Sequence, residues 1–335
     1  MKLPRLGLRL LDHYYVELGD GSLAVITGNA HFCYGFIGYV KYTPTSRATL
    51  WSRNGVFYER VVKKYTPREV HEHAERRIYV PYFDFAVPYI PLHAIKRIYD
   101  PLERARELYS RIRDPLEALT LELISVISVN TGVLAGVTGS LLPSIHNAEL
   151  SDIDLVVYGA RESAKIVEFV ESNKSVFKPF TGSRLRVWSE NVAATTGLPP
   201  REVIKFYRNW RRGVYANREY SIIYNDGVYR ELALLPSFKT LGAVHLLVEV
   251  AGGLEALNYP STSRVINYRV LYSEAQTIPF DVTSITSYEA LYTPGLYEGG
   301  FFEVRGVLQC SNELSECRVL VGVLEEHSFM RYREC

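Results

Sequence analysis

The chain has 335 residues, 47% of them hydrophobic, with 38 Lys and Arg against 37 Asp and Glu. That length and apolar content suffice for a large core and predict two or three domains, while the near-zero net charge gives no global steering toward nucleic acid, so any basic binding surface has to be local. The most apolar run, residues 119–137, is interrupted by Glu122 and Asn130, and the opening MKLPRLGLRLLDHYY lacks an apolar segment followed by a cleavage site, which predicts a cytoplasmic protein with no membrane span.

Residues 15–64 are rich in Tyr, Val, Ile and Phe and carry the turn signals GDG (residues 19–21) and RNG (residues 53–55), the pattern of a small β-rich unit. Thr66-Pro67-Arg68-Glu69 supplies an N-cap, a first-turn proline and a glutamate three residues on, which starts a helix. The same chemistry recurs at Asp100-Pro101-Leu102-Glu103 and Asp114-Pro115-Leu116-Glu117, predicting two further helices, the second apolar at Leu116, Leu119, Leu123, Val126 and Ile127 and stopped by Gly132. A strand over 133–138, a loop over 139–151 and a strand over 153–158 follow, then a helix over 161–173. Arg184 and Arg186 alternate as on a strand, a placement from which they could reach a triphosphate. Pro200 opens a helix to about residue 212, and residues 220–234 read as a hairpin closed by Asn225-Asp226-Gly227. Strands at 245–250, 265–270, 280–285, 301–309 and 318–324 make the remainder a small barrel or sandwich.

Cys33, Cys310, Cys317 and Cys335 contain no C-x-x-C pair, which argues against a structural zinc site. Only Gln276 and Gln309 occur among glutamines, a scarcity of thermolabile side chains that leans toward a thermophile, where an intracellular disulfide is admissible. Cys310 and Cys317 flank a short polar turn between two expected strands, so antiparallel pairing can bridge them; two free thiols are the alternative. His71 and His73 fall on different faces of the helix expected after Thr66, and neither H-E-x-x-H nor a P-loop, nucleophile-elbow or G-x-G-x-x-G motif occurs. The run 205–212 interleaves cations with aromatics, which suits nucleic acid but equally a helix with an apolar stripe and a solvated basic face.

The segment GVTGSLLPSIHNAELSDIDLVVYG, residues 136–159, carries the chemistry. Asp152 and Asp154 alternate on the expected strand, so both carboxylates project to one face, where hard oxygen ligands suit Mg²⁺ completed by water and substrate phosphates. Upstream, Gly139 removes side-chain bulk where a phosphate chain can approach the backbone, and Ser140 adds a hydroxyl and an N–H.

Gly139-Ser140 followed at this spacing by Asp152-Ile153-Asp154 entering an apolar strand resembles the polymerase-β-type nucleotidyltransferase superfamily, and within it a group of archaeal predicted nucleotidyltransferases of unknown acceptor. The specific likeness covers residues 114–159. It implies an α/β fold: a nucleotidyltransferase core with a small mixed sheet and helices (residues 99–240), flanked by β-rich N-terminal (1–98) and C-terminal (241–335) segments. It further implies that Asp152 and Asp154 hold two Mg²⁺ ions, replaceable by Mn²⁺, and that Gly139 and Ser140 contact the NTP phosphates. The implied reaction moves an NMP from an NTP to an acceptor hydroxyl with release of pyrophosphate, RNA or another nucleic acid being one class of acceptor. Active members of the superfamily add a third carboxylate on a neighbouring strand; Glu219 and Glu231 are the candidates, neither in an unmistakable apolar frame. A catalytically degenerate nucleotide- or RNA-binding scaffold is the alternative, and a structural module without a ligand is a third.

Overall fold

The computed structural model describes residues 7–63, 66–323 and 327–333. In chain order the strands and α-helices are β1 (Tyr15–Leu18), β2 (Leu23–Ile26), β3 (Ala30–His31), β4 (Gly35–Thr45), β5 (Trp51–Arg53), β6 (Val56–Arg60), α1 (Pro67–Glu72), β7 (Arg77–Val80), β8 (Phe85–Pro91), β9 (Ile95–Tyr99), α2 (Pro101–Ser110) and α3 (Pro115–Thr131). They continue with β10 (Gly136–Val137), β11 (Ile153–Tyr158), α4 (Ala160–Ser172), α5 (Gly182–Thr196), α6 (Pro200–Lys205), β12 (Arg212–Tyr215), β13 (Arg218–Asn225) and β14 (Arg230–Glu231). The last are β15 (Lys239–Val250), β16 (Ser261–Ser273), β17 (Val282–Ser287), α7 (Thr293–Glu298), β18 (Gly300–Ser311), β19 (Glu316–Val321) and β20 (Phe329–Tyr332). The fold is α/β and rich in β-structure, and among the described residues no helix is long and apolar enough to cross a membrane.

The capping signals act as the sequence predicts. Thr66 accepts from the Glu69 N–H, Asp100 from Leu102 and Glu103, and Asp114 from Leu116 and Glu117, so each helix starts where a side chain satisfies backbone donors that have no partner within the helix. α3 stops at Gly132 in the left-handed conformation, φ 72°.

Two compact units form, the first from the described residues of Met1–Lys63, Tyr89–Phe180 and Arg208–Arg230, the second from those of Lys64–Pro88, Thr181–Tyr207 and Glu231–Cys335. This division cuts across the three consecutive segments expected from sequence. In the first unit the N-terminal strands run in the order β5-β6-β4-β2-β1-β9, and Asn54-Gly55, both at positive φ, close the β5–β6 hairpin. The physical reason these strands join the α/β segment is a shared core. Leu142 and Ile145, from the loop after β10, are 2% and 0% exposed among Tyr15, Leu23, Val25, Tyr42 and Tyr58. Burying each of those two side chains contributes about 1.5–3 kcal/mol.

The second sheet of this unit is mixed, in the order β10-β11-β13-β12, with β10 and β12 antiparallel to their neighbours and β11 parallel to β13. The expected hairpin over 220–234 does not form. β13 turns back on β12 through Ala216 (φ 43°) and Asn217 (φ 67°), a two-residue turn with both central residues at positive φ. Asn225 and Asp226 instead accept hydrogen bonds from the Asn29 amide. The helix expected to run to residue 212 is only α6, because the chain turns after Lys205 and enters β12.

In the second unit β15-β16-β17-β19-β18 closes on itself through the β15–β18 pairing, giving a five-stranded barrel, with β20 continuing the sheet along β18. The barrel interior is packed by Val244, Leu246, Val248, Phe302, Val304 and Met330, joined by Val203 and Phe206 of the α6 segment. Of the strand expected over 318–324, residue 324 lies outside the described residues. Cys310 pairs with Cys317 across β18 and β19 and the two form a disulfide with Cα atoms 4.0 Å apart. Residues 184–186 lie on α5, not on a strand: the fifteen-residue helix ends at Gly197 in the left-handed region, and Arg186 reaches Glu190 one turn on.

Candidate active site

β11 and β13 lie side by side in the first unit, and their parallel register sets the site. Asp154 stands opposite Ser221, whose Oγ donates to Asp154 Oδ1. Ile153 pairs with Tyr220, so the same register carried back one residue puts Asp152 opposite Glu219. Arg212 of β12 pairs with Ser221 from the other side. Directly paired residues share a face, so Asp152, Asp154, Glu219, Ser221 and Arg212 crowd one side of the sheet, while Ile153, Leu155, Tyr220 and Ile222 fill the buried side at 0% exposure.

The Gly139 backbone approaches this face at contact distance. A Cβ placed on Gly139 would sit 2.1 Å from Asp154 Oδ2 and 2.9 Å from its Cβ, and the residue holds φ +64°, so glycine is required twice over. The Thr138 N–H donates to the Asp154 carbonyl at 2.9 Å, which fixes the start of the loop against β11. Ser140 is buried beside it, its Oγ 3.5 Å from Ser151 Oγ.

The rest of the loop is tied from several directions. The Ser52 N–H donates to the Ile145 carbonyl at 3.0 Å, Arg53 Nη1 to the Pro143 carbonyl at 3.0 Å and Arg104 Nε to the Leu141 carbonyl at 3.1 Å. Arg218 of β13 takes the carbonyls of Ala148 and Ser151 at 3.1 and 3.2 Å. Asp114, Glu117 and His146 bring ligand atoms within 4.8 Å of one another, the spacing of a metal group. Their charges already have partners. Glu117 is ion-paired to Arg104 and Arg113, and Asp114 caps α3 while meeting His146 Nε2 at 2.8 Å, so this cluster anchors the loop to the start of α3.

The electrostatics are those of like charges held close. Asp152 is pushed up to about 6, chiefly by the neighbouring Asp154 carboxylate and then by desolvation, against the opposing charges of Arg212 and Lys41. Arg212 Nη2 lies 3.3 Å from Asp152 Oδ2 and 3.7 Å from Glu219 Oε2, and all three side chains remain between 36% and 40% exposed, open to a ligand from solvent. The residues present fit divalent cations: two same-face carboxylates that repel when both are ionised, hard oxygens throughout, and a glycine cradle against one of them.

No family model, characterised protein or solved structure matches the chain.

Of the residues singled out from sequence, the structure brings together Asp152, Asp154, Gly139, Ser140 and Glu219. Glu231 lies exposed on β14, outside the four-stranded sheet. The run 205–212 is not a ladder for bases. Phe206 is 1% exposed in the second unit and Trp210 0% exposed in the first, so neither ring is free to stack. His71 packs on Phe85 and His73 is exposed at the end of α1. Sequence reasoning placed Arg212 only in the basic-aromatic run 205–212, not beside the carboxylates, and missed Ser221 and Lys41. The available signal was the alternation Glu219, Ser221 on β13, which repeats the alternation Asp152, Asp154 on β11.

Proposed function

We propose that the first unit is a metal-dependent nucleotidyltransferase of the polymerase-β type, moving an NMP from an NTP to an acceptor hydroxyl. The observation that carries this reading is the contact of Gly139 with Asp154, which unites the glycine-serine and two-aspartate halves of the motif in one place. Asp152 and Asp154 would hold the cations, Mg²⁺ or Mn²⁺, which when bound neutralise charge on the attacking and leaving oxygens. Gly139 leaves room for the triphosphate, and Ser140 and the surrounding backbone orient it. The acceptor oxygen forms a bond to the α-phosphorus, the bond from that phosphorus to the bridging oxygen breaks, and pyrophosphate leaves with the electron pair. Glu219 takes the proton of the acceptor hydroxyl, the role its place beside Asp152 supports. Arg212 offsets negative charge on this face.

One observation favours the scaffold reading. Arg212 already pairs with Asp152 and Glu219, so a guanidinium balances two of the three carboxylates without a cation. Incubation with each radiolabelled NTP, Mg²⁺ or Mn²⁺, and pooled RNA, DNA and protein acceptors separates the two. Label transfer lost in Asp152→Ala/Asp154→Ala supports the enzyme; tight NTP binding without transfer to any acceptor supports the scaffold.

A further inference from the structure

The outer face of the barrel has a composition that nucleotidyl transfer does not account for. Register across β16, β15, β18 and β20 aligns Tyr272, His245, Arg305 and Phe329 in one row and Arg269, Leu247, Glu303 and Arg331 in the next. Asn267, Glu249 and Phe301 follow, with the Arg333 N–H bonded to the Phe301 carbonyl at 2.9 Å. Four guanidiniums face two carboxylates here. One of those carboxylates, Glu303, is 3% exposed and committed: it accepts from His245 Nε2 at 2.9 Å and Arg331 Nη2 at 2.6 Å, and it also holds Arg333. Its effect is to fix two arginines in place while contributing little negative charge to the surface.

Between the rows runs an open groove of about 480 Å³, lined by Leu247, Arg269, Leu271, Phe301, Glu303 and Arg333. Phe301 is 41% exposed, Leu271 45% and Tyr272 52%, an unusual density of open apolar and aromatic surface beside cations. Arg331 lies 5.2 Å from the Phe329 ring centroid, so this guanidinium is also oriented by an aromatic face.

Flat apolar surface for a base, flanked by oriented guanidiniums for phosphate, is the chemistry of a single-stranded nucleic acid site. We propose that this barrel face binds single-stranded RNA or DNA, with phosphates on Arg269 and Arg333 and a base against Phe301 and Leu271. As a binding site it stands apart from the transferase reading; that the bound strand is the acceptor rests on that reading. A protein strand is the competing occupant, because among the described residues no strand pairs with the outer edge of β16 beyond Arg264. The excess of guanidiniums on the face favours the polyanion.

The test is fluorescence anisotropy of fluorescein-labelled oligo(U) and oligo(dT) with the full chain, in EDTA and without NTP, so that metal and nucleotide at the carboxylate site play no part. Both oligonucleotides bind, with oligo(U) preferred if the 2′-hydroxyls are read, and Phe301→Ala weakens binding about tenfold. Among the described residues Arg269 makes no ion pair, so Arg269→Glu leaves the fold intact while weakening binding by a similar factor. Neutralising the two phosphates gives a salt slope of about −1.4, so a fourfold rise in salt weakens binding roughly sevenfold. Asp152→Ala/Asp154→Ala binds like the parent chain even if transfer is never detected. The proposal is overturned if neither oligonucleotide binds, if Arg269→Glu binds as well as the parent, or if sedimentation velocity shows a dimer that Arg269→Glu dissolves in a chain that binds no oligonucleotide.

Discussion

A methyl group at position 139 collides with Asp154 and forces a left-handed backbone on a residue with a Cβ. The conformational term alone costs about 1–2 kcal/mol, and the collision displaces the carboxylate. The parent chain with Mg²⁺ and NTP at a hundredfold excess over the dissociation constant gains roughly 2.7 kcal/mol of apparent stability. Gly139→Ala should lose that gain in a thermal melt, as should Asp152→Ala/Asp154→Ala; an unchanged ligand-induced rise in Gly139→Ala sinks the phosphate-cradle role. Glu219→Gln should cut transfer by a factor on the order of 10² or more with NTP binding nearly intact, the pattern of a lost general base, whereas Glu231→Gln should leave both unchanged. Equal transfer by Glu219→Gln and the parent removes Glu219 from the mechanism. At this scale the sequence made Asp152, Asp154, Gly139 and Ser140 legible because their types and spacing lie within one short segment. Arg212 and Lys41 were not legible, since only sheet pairing and the shared core bring them near, and spacing along the chain encodes neither.

Among the elements, β18 carries a buried carboxylate, Glu303, that Arg331, Arg333 and His245 hold. Burial alone would raise Glu303, but hydrogen bonds from Arg331, His245 and Arg333 outweigh it and hold the carboxyl at about 2 against an ordinary 4.5. Because the folded-state value is depressed, the associated stability is fully present above about pH 4.5 and is lost as pH falls toward 2; the difference corresponds to about 3 kcal/mol. Chemical denaturation of the parent and Glu303→Gln across that range should show the parent's advantage shrinking, and a constant difference contradicts the assignment. The Cys310–Cys317 bridge closes the β18–β19 turn, so thiol titration of unfolded, unreduced protein should find Cys310 and Cys317 unreactive, and Cys310→Ala/Cys317→Ala should lower stability by about 2–3 kcal/mol. Four reactive thiols would exclude the bridge in solution. Capped helices were readable because Asp-Pro-x-Glu acts locally. α5 was not, since Arg184 and Arg186 alternate with Leu185 and Val187 as a strand would, and the wider fifteen-residue pattern decides. Nor was the β12–β13 turn: Ala216 is a poor sequence marker for positive φ, whereas Asn225-Asp226-Gly227 is a strong one that serves a different purpose here.

At the level of the whole molecule, the chain leaves each unit and returns to it. A fragment of residues 99–240 retains Leu142 and Ile145 but loses Tyr15, Leu23, Val25, Tyr42 and Tyr58 around them, and a fragment of residues 241–335 loses Val203 and Phe206 from the barrel core. Neither fragment should give a cooperative thermal transition by circular dichroism, whereas the full chain should; a sharp melt from 99–240 alone would contradict the shared-core account. The two units draw on non-consecutive stretches, unlike the three consecutive domains expected from sequence, because composition marks β-rich and α/β stretches but not which of them bury side chains together. The late position of β13 has a consequence for synthesis. A ribosome delivers Gly139, Ser140, Asp152 and Asp154 well before Glu219 and Arg212, with the α5–α6 excursion into the other unit in between. On the proposed function, a nascent chain arrested before β12 holds Asp152 and Asp154 without Arg212 and without the proton acceptor proposed at Glu219, so competence for the proposed transfer would arrive late in translation.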